Sequence, residues 1–171
     1  KLLEEAGVTN LTVKLGYTAN DVPSQKEATI IQQNLKAIGI NVELAGQEGT
    51  ALSQEMQKDD SNYDMFIGGY IMGIDPDTFN SLFTSESQYN FSHYKDTEID
   101  DLFNAGRVET DEAKRVEIYT KIQQKIQDNA YFYPMLSNKR IVVMSSNITG
   151  VDEAKLVPVY TFEDMSKLKF E

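Results

Sequence analysis

Residues 65–83 read MFIGGYIMGIDPDTFNSLF. They begin as a run apolar on both faces, the pattern of a strand covered by helices on both sides. The run breaks at Gly68 and Gly69. Two glycines leave no side chain beyond the strand, so another backbone or a ligand can come close. Asp75-Pro76-Asp77 then has the order of a helix start, with Asp75 as N-cap, Pro76 at the first helical position and Asp77 in the first turn. An apolar strand, a glycine break and a new helix place a possible ligand site at the carboxyl end of the strand, where open α/β sheets bind their ligands.

The preceding chain supplies the rest of such a sheet. In LTVKLGYT, residues Leu11, Val13 and Leu15 point one way, as in a strand. Asp21 can cap a helix with Pro23 in its first turn, and Ala28, Ile31, Leu35 and Ile38 recur at helical spacing until Gly39 ends it. INVELAG alternates again through Ile40, Val42 and Leu44, and a weaker helix follows at about 49–58. Strand, helix, strand, helix, strand predicts a parallel sheet with right-handed crossovers. Expected strands are 11–17, 40–45 and 64–69, with helices at 24–38, 49–58 and 77–83.

Downstream, Asp96 caps a helix at 97–107 whose apolar face is Ile99, Leu102 and Phe103. Thr110 opens a second, at 111–128, with Val116, Tyr119, Ile122 and Ile126 as its buried stripe. AYFYPMLS and RIVVMS predict strands at 131–136 and 139–144. Beyond Ser146 the apolar positions are scattered: Val151, Leu156, Val157, Val159, Phe162 and Leu168. The opening KLLEEAGVTN reads as a helix end and a turn, which leads to the expectation of a piece cut at a domain boundary.

Composition narrows the chemistry. Sixteen basic against twenty-seven acidic residues give a net charge of −11, and no basic cluster offers the positive surface that nucleic acid requires. With no cysteine there is no disulfide, thiol nucleophile or cysteine-ligated zinc. No Gly-x-Ser-x-Gly marks a nucleophile, and no glycine-rich turn is followed by Lys-Ser/Thr, so no catalytic residue and no phosphate loop stands out. His93, the single histidine, lies in a loop and reads as a surface or packing residue. Tyr131, Phe132 and Tyr133 read as core. Asp75 and Asp77 admit several roles: helix capping first, then contact with a ligand's amine or hydroxyl, then a glycosidase carboxylate pair. A calcium loop lacks further oxygen ligands at the required spacing, so no metal and no cofactor is expected.

The ordered set KLLEEAG, IIQQNLKAIGINVEL, YDMFIGGYIMGIDPD, NFSHYKDTEIDDLFNAGRVETDEAKRVEIYTKIQQKI and AYFYPMLSNKRIVV resembles the C-terminal lobe of the extracellular solute-binding proteins of ABC importers, family 5, the oligopeptide-, dipeptide- and nickel-binding group. Asp-Pro-Asp, Tyr-x-x-x-x-x-Asp and Arg-x-x-x-Tyr carry the likeness, which covers nearly the whole chain. It implies an α/β lobe like those of type II periplasmic binding proteins, mainly parallel sheet flanked by helices. It implies a lobe over 1–145 and a tail over 146–171 that returns to a first lobe. The implied function is capture of an oligopeptide, with no catalysis, and delivery to a membrane permease. The implied location is extracytoplasmic, in the periplasm or lipid-anchored at the cell surface. The implied site is Gly69, Tyr70, Ile71, Met72, Gly73 and Asp75, with Tyr70 where the family places an aromatic. Peptide-specific members often hold the peptide's amino terminus with an Asp shortly after that aromatic. Here Ile71-Met72-Gly73 occupies that neighbourhood and Asp75 is the nearest carboxylate. A receptor for sugar oligomers, a carbohydrate-active domain using Asp75 and Asp77, and an adaptor module without a small ligand are the alternatives.

Overall fold

Alternating apolar residues produce two long strands, β1 (Thr12–Thr18) and β2 (Asn41–Gln47), paired in parallel from Thr12↔Asn41 to Thr18↔Gln47. In the computed structural model, which describes residues 1–139, 141–157 and 160–171, the chain forms two units, Lys1–Gly69 and Tyr70–Glu171. The first unit opens with a single helical turn, α1 (Leu2–Glu5). Helix α2 (Val22–Ala37) connects β1 to β2; Asp21 caps it by accepting from the Ser24 amide at 2.9 Å. Its far end closes at Gly39, which sits at φ +85°. The Gly39 amide donates to the Lys36 carbonyl and the Ile40 amide to the Leu35 carbonyl, the pairing by which a left-handed glycine terminates a helix. Helix α3 (Gly49–Met56) then leads to β3 (Met65–Phe66), which pairs in parallel with β1 through Leu15↔Met65 and Gly16↔Phe66.

The strand order is β2-β1-β3, the arrangement expected when one right-handed crossover runs from β1 to β2 and a second runs from β2 back past β1 to β3. The two helices therefore cover opposite faces. Leu15 packs with Ala28 of α2, Val42 and Ile67, whereas a side chain at neighbouring Gly16 would meet Leu52 of α3.

In the second unit a 3-10 turn (Pro76–Phe79) runs into the short α4 (Asn80–Phe83), followed by α5 (Thr97–Val108) and α6 (Glu112–Asn129). Leu82 and Phe83 of α4, Ile99 and Phe103 of α5, and Tyr119 and Ile122 of α6 form its core. The end of the chain carries an antiparallel pair, β4 (Ile148–Thr149) with β5 (Lys169–Phe170), and one helical turn, α7 (Val151–Ala154), with Ala154 and Phe162 buried.

Several expectations are corrected. The third strand is two residues long rather than six, and it is an edge of the described sheet; the glycines after Ile67 offer no side chains to hold a longer ladder. The run at 131–136 forms no strand, and neither do the described residues of 139–144; Ile141 and Val143 are 82% and 89% exposed. Their β-branched composition suits a strand, but a strand requires a partner edge, and none pairs with them among the described residues. Arg140 and Val159 lie outside the described residues. Ile38 follows the last turn of α2 and is exposed; Val116 points away from the buried stripe of α6. Asp111, not Thr110, caps α6, accepting from the Lys114 amide at 3.1 Å. Of the aromatic run, Tyr131 and Phe132 pack against Phe83, while Tyr133 is exposed.

Candidate functional site

Asp75 is the N-cap of the 3-10 turn, its Oδ1 accepting from the Asp77 amide at 2.8 Å. It also meets α6: Nη2 of Arg115 donates to the same oxygen at 2.7 Å. The guanidinium is held from two further sides, by donation from Nε to the Gly106 carbonyl at 3.0 Å and by the Tyr119 ring 5.1 Å away. Asp77 is engaged just as fully. Nε of Arg107 donates to Oδ2 at 3.2 Å, the Tyr119 hydroxyl donates to Oδ1 at 3.2 Å, and Asn80 Nδ2 donates to Oδ2 at 3.3 Å. The Arg115 guanidinium, with the Asp77 amide, holds the Asp75 carboxyl below the usual carboxylate range. This is opposite to the shift that a glycosidase general acid requires.

The six predicted site residues divide. Gly69 closes the first unit, and a side chain there would meet nothing within 4 Å. Tyr70 is 37% exposed and leans on Phe91 with ring centroids 6.5 Å apart; burial pushes its phenol up to about 12. Ile71 is 75% exposed. Met72 turns inward onto the core of the second unit, and Gly73 lies close to Thr78, whose methyl a side chain there would meet at 3.3 Å. Asp75 is exposed but already paired. Residues 68–74 have no regular structure, so the open part of the stretch is Gly69, Tyr70 and Ile71, joined by Ile74. Among the described residues no three His, Asp or Glu side chains are grouped to hold a metal ion.

Arg107, Arg115 and Tyr119 escape a reading along the chain, because they reach the Asp-Pro-Asp turn from helices 30 to 42 positions away. The signal for Arg115 and Tyr119 is the Arg-x-x-x-Tyr spacing, which puts guanidinium and ring on one helix face; Arg107 leaves none.

The family described as "Bacterial extracellular solute-binding proteins, family 5 Middle" matches residues 1–91, more than half of the chain. The periplasmic oligopeptide-binding protein OppA of Escherichia coli K12 is 31% identical over 141 residues, covering 79% of this chain and 25% of that protein. The crystal structure of a putative peptide binding protein AppA from Clostridium difficile superposes with a TM-score of 0.86 at 33% identity, over 99% of this chain and 36% of that one. The substrate-binding protein CtaP of an ABC transporter from Listeria monocytogenes gives the same TM-score at 35% identity, again over 99% of this chain and 35% of that one. The chain thus spans about a quarter to a third of the length of these three proteins, each of them a binding protein. By sequence and by fold alike, it belongs to the family 5 bacterial extracellular solute-binding proteins.

Proposed function

We propose that the chain is one lobe of a two-lobe receptor that captures peptides outside the cytoplasm and presents them to the permease of an ABC importer. The observation that carries this reading is the open stretch Gly69, Tyr70 and Ile71, with Ile74 beyond it, which follows the sheet's third strand in sequence and has no regular structure. An exposed backbone of this kind pairs with an extended peptide whatever its sequence, while Tyr70 and Ile71 supply apolar surface. The similarity to peptide-binding proteins points the same way. Residues 1–145 then make up the lobe, and residues 146–171 return to the partner lobe. Support for that return comes from exposed Tyr160, Met165 and Phe170 in the tail, and from exposed Tyr133, Leu136, Ile141 and Val143 before it, apolar surface that a second lobe would cover.

Mass spectrometry of small molecules that co-purify with the full-length protein tests the reading, and peptides are the expected cargo. Gly69→Trp fills open space, so the fold survives while calorimetry shows peptide affinity reduced. A co-purifying sugar oligomer, or unchanged affinity in Gly69→Trp, counts against it.

A further inference from the structure

Three aromatic rings lie in series beside the open run, and two of them come from a loop twenty residues downstream. Tyr70 and Phe91 are 6.5 Å apart and tilted by 40°; Phe91 and Tyr89 are 6.3 Å apart and nearly edge-to-face at 70°. Both spacings fall in the range at which aromatic pairs attract. Tyr89, at the outer end, is 46% exposed.

The loop that carries Tyr89 and Phe91 is fixed by the residue between them. Asn90 is buried, with only 4% of its surface exposed. Its Nδ2 donates to the Thr84 carbonyl at 3.3 Å and to the Tyr94 carbonyl at 2.8 Å, and its Oδ1 accepts from the Ser92 hydroxyl at 2.7 Å. Its amide donates to the Ser87 carbonyl at 3.0 Å, and its carbonyl accepts from the His93 amide at 3.0 Å. Every polar group of Asn90 is therefore satisfied within the loop, as a buried amide requires. The flanking rings are held by backbone already in place, so a ligand meets a surface that needs little ordering on binding.

We propose that Tyr70, Phe91 and Tyr89 form a shelf for an aromatic side chain of the bound peptide. The proposal rests on the peptide-receptor reading and adds a preference to it. An incoming ring extends the series by one more edge-to-face or offset partner, at the end where Tyr89 is open. Tyr70 joins the shelf to the run that would pair with the peptide backbone, so the shelf begins beside that backbone. Peptide backbone binding alone is indifferent to sequence; the shelf makes one position selective.

The test uses the full-length protein and calorimetry with alanine pentapeptides in which a single Phe, or a single Lys, is moved through every position. One register of Phe binds tighter than the all-alanine peptide by about tenfold, the scale of one buried ring with an aromatic partner. Tyr89→Ala brings that preference close to unity, and Tyr89→Phe keeps it. The melting temperature of Tyr89→Phe matches the parent, and Tyr89→Ala, which loses the edge contact with Phe91, still unfolds in one cooperative transition. Equal affinity across the Phe series overturns the shelf alone, as does a preference that persists in Tyr89→Ala. A preference for Lys over Phe overturns it in favour of a cation subsite. Failure of every peptide to bind the parent protein overturns the peptide reading and the shelf with it.

Discussion

Asp75 shows how one carboxylate is committed three ways. It caps a turn, anchors Arg115 and, through that arginine, connects the turn to the Gly106 carbonyl of α5. Removing the cap by Asp75→Ala costs about 1 kcal/mol, the usual value for an N-cap, measurable by urea denaturation of the chain. The sign of its pH dependence follows from the shift. The folded carboxyl titrates below its unfolded value, so its contribution is fully present above about pH 4 and is lost as pH falls through the lowered folded pKa. Arg115→Gln returns the Asp75 titration toward the ordinary carboxylate range, observable in a carbon-13 NMR titration of the side-chain carboxyl. An unchanged midpoint shows that the guanidinium is not the cause. The capping role is legible in Asp-Pro-Asp because it depends on neighbours in sequence. The arginine partners are not, because the packing of distant helices sets them.

Among the elements, α5 and α6 are joined where Gly106 admits the Tyr119 ring. A Cβ at position 106 would lie 2.8 Å from Tyr119 Cζ. That ring cannot swing away freely: it is buried, and its hydroxyl donates to Asp77. Gly106→Ala therefore forces the helices apart or releases Asp77, with a loss of about 1–3 kcal/mol typical of overpacking. Equilibrium urea unfolding measures it; a stability gain from the better helix former shows that the contact yields easily. Periodicity finds Ile99, Phe103, Tyr119 and Ile122 correctly but extends the stripe of α6 to Val116, which is exposed. The face in contact runs through Arg115, Tyr119 and Ile122 instead, and which of two neighbouring residues turns toward α5 is set by packing that one helix's sequence does not carry. The same limit explains 131–136, where strand-like composition meets no partner edge among the described residues.

For the whole molecule, the prediction concerns the 171-residue chain by itself. It folds but binds peptides no tighter than about micromolar, since a closed cleft draws its affinity from two walls, and ordering a flexible peptide costs the same against one. Calorimetry with the best peptide for the full-length protein checks this, and submicromolar binding shows that one lobe suffices. The parallel sheet and its strand succession are legible because βαβ connection rules leave few topologies. The division at Gly69–Tyr70 is less so: the glycines announce a break, but only the separate cores on either side make it a boundary between units.

The strand order has a kinetic consequence. With β1 between β2 and β3, the first unit cannot complete its sheet until chain segments 50 positions apart meet, as Lys14 and Asp64 do. Helices α5 and α6 are neighbours in sequence and close over a short turn. Loop closure over long separations slows folding, so the helical hairpin assembles first and β3 docks last. Pulse-labelling during refolding then protects the amides of α6 before that of Ile67, which donates to the Gly16 carbonyl only once β3 has docked. Simultaneous protection marks a single cooperative event instead. Until docking, the edge of β1 stays open to the wrong partner, and misassembly at high concentration enters through that edge.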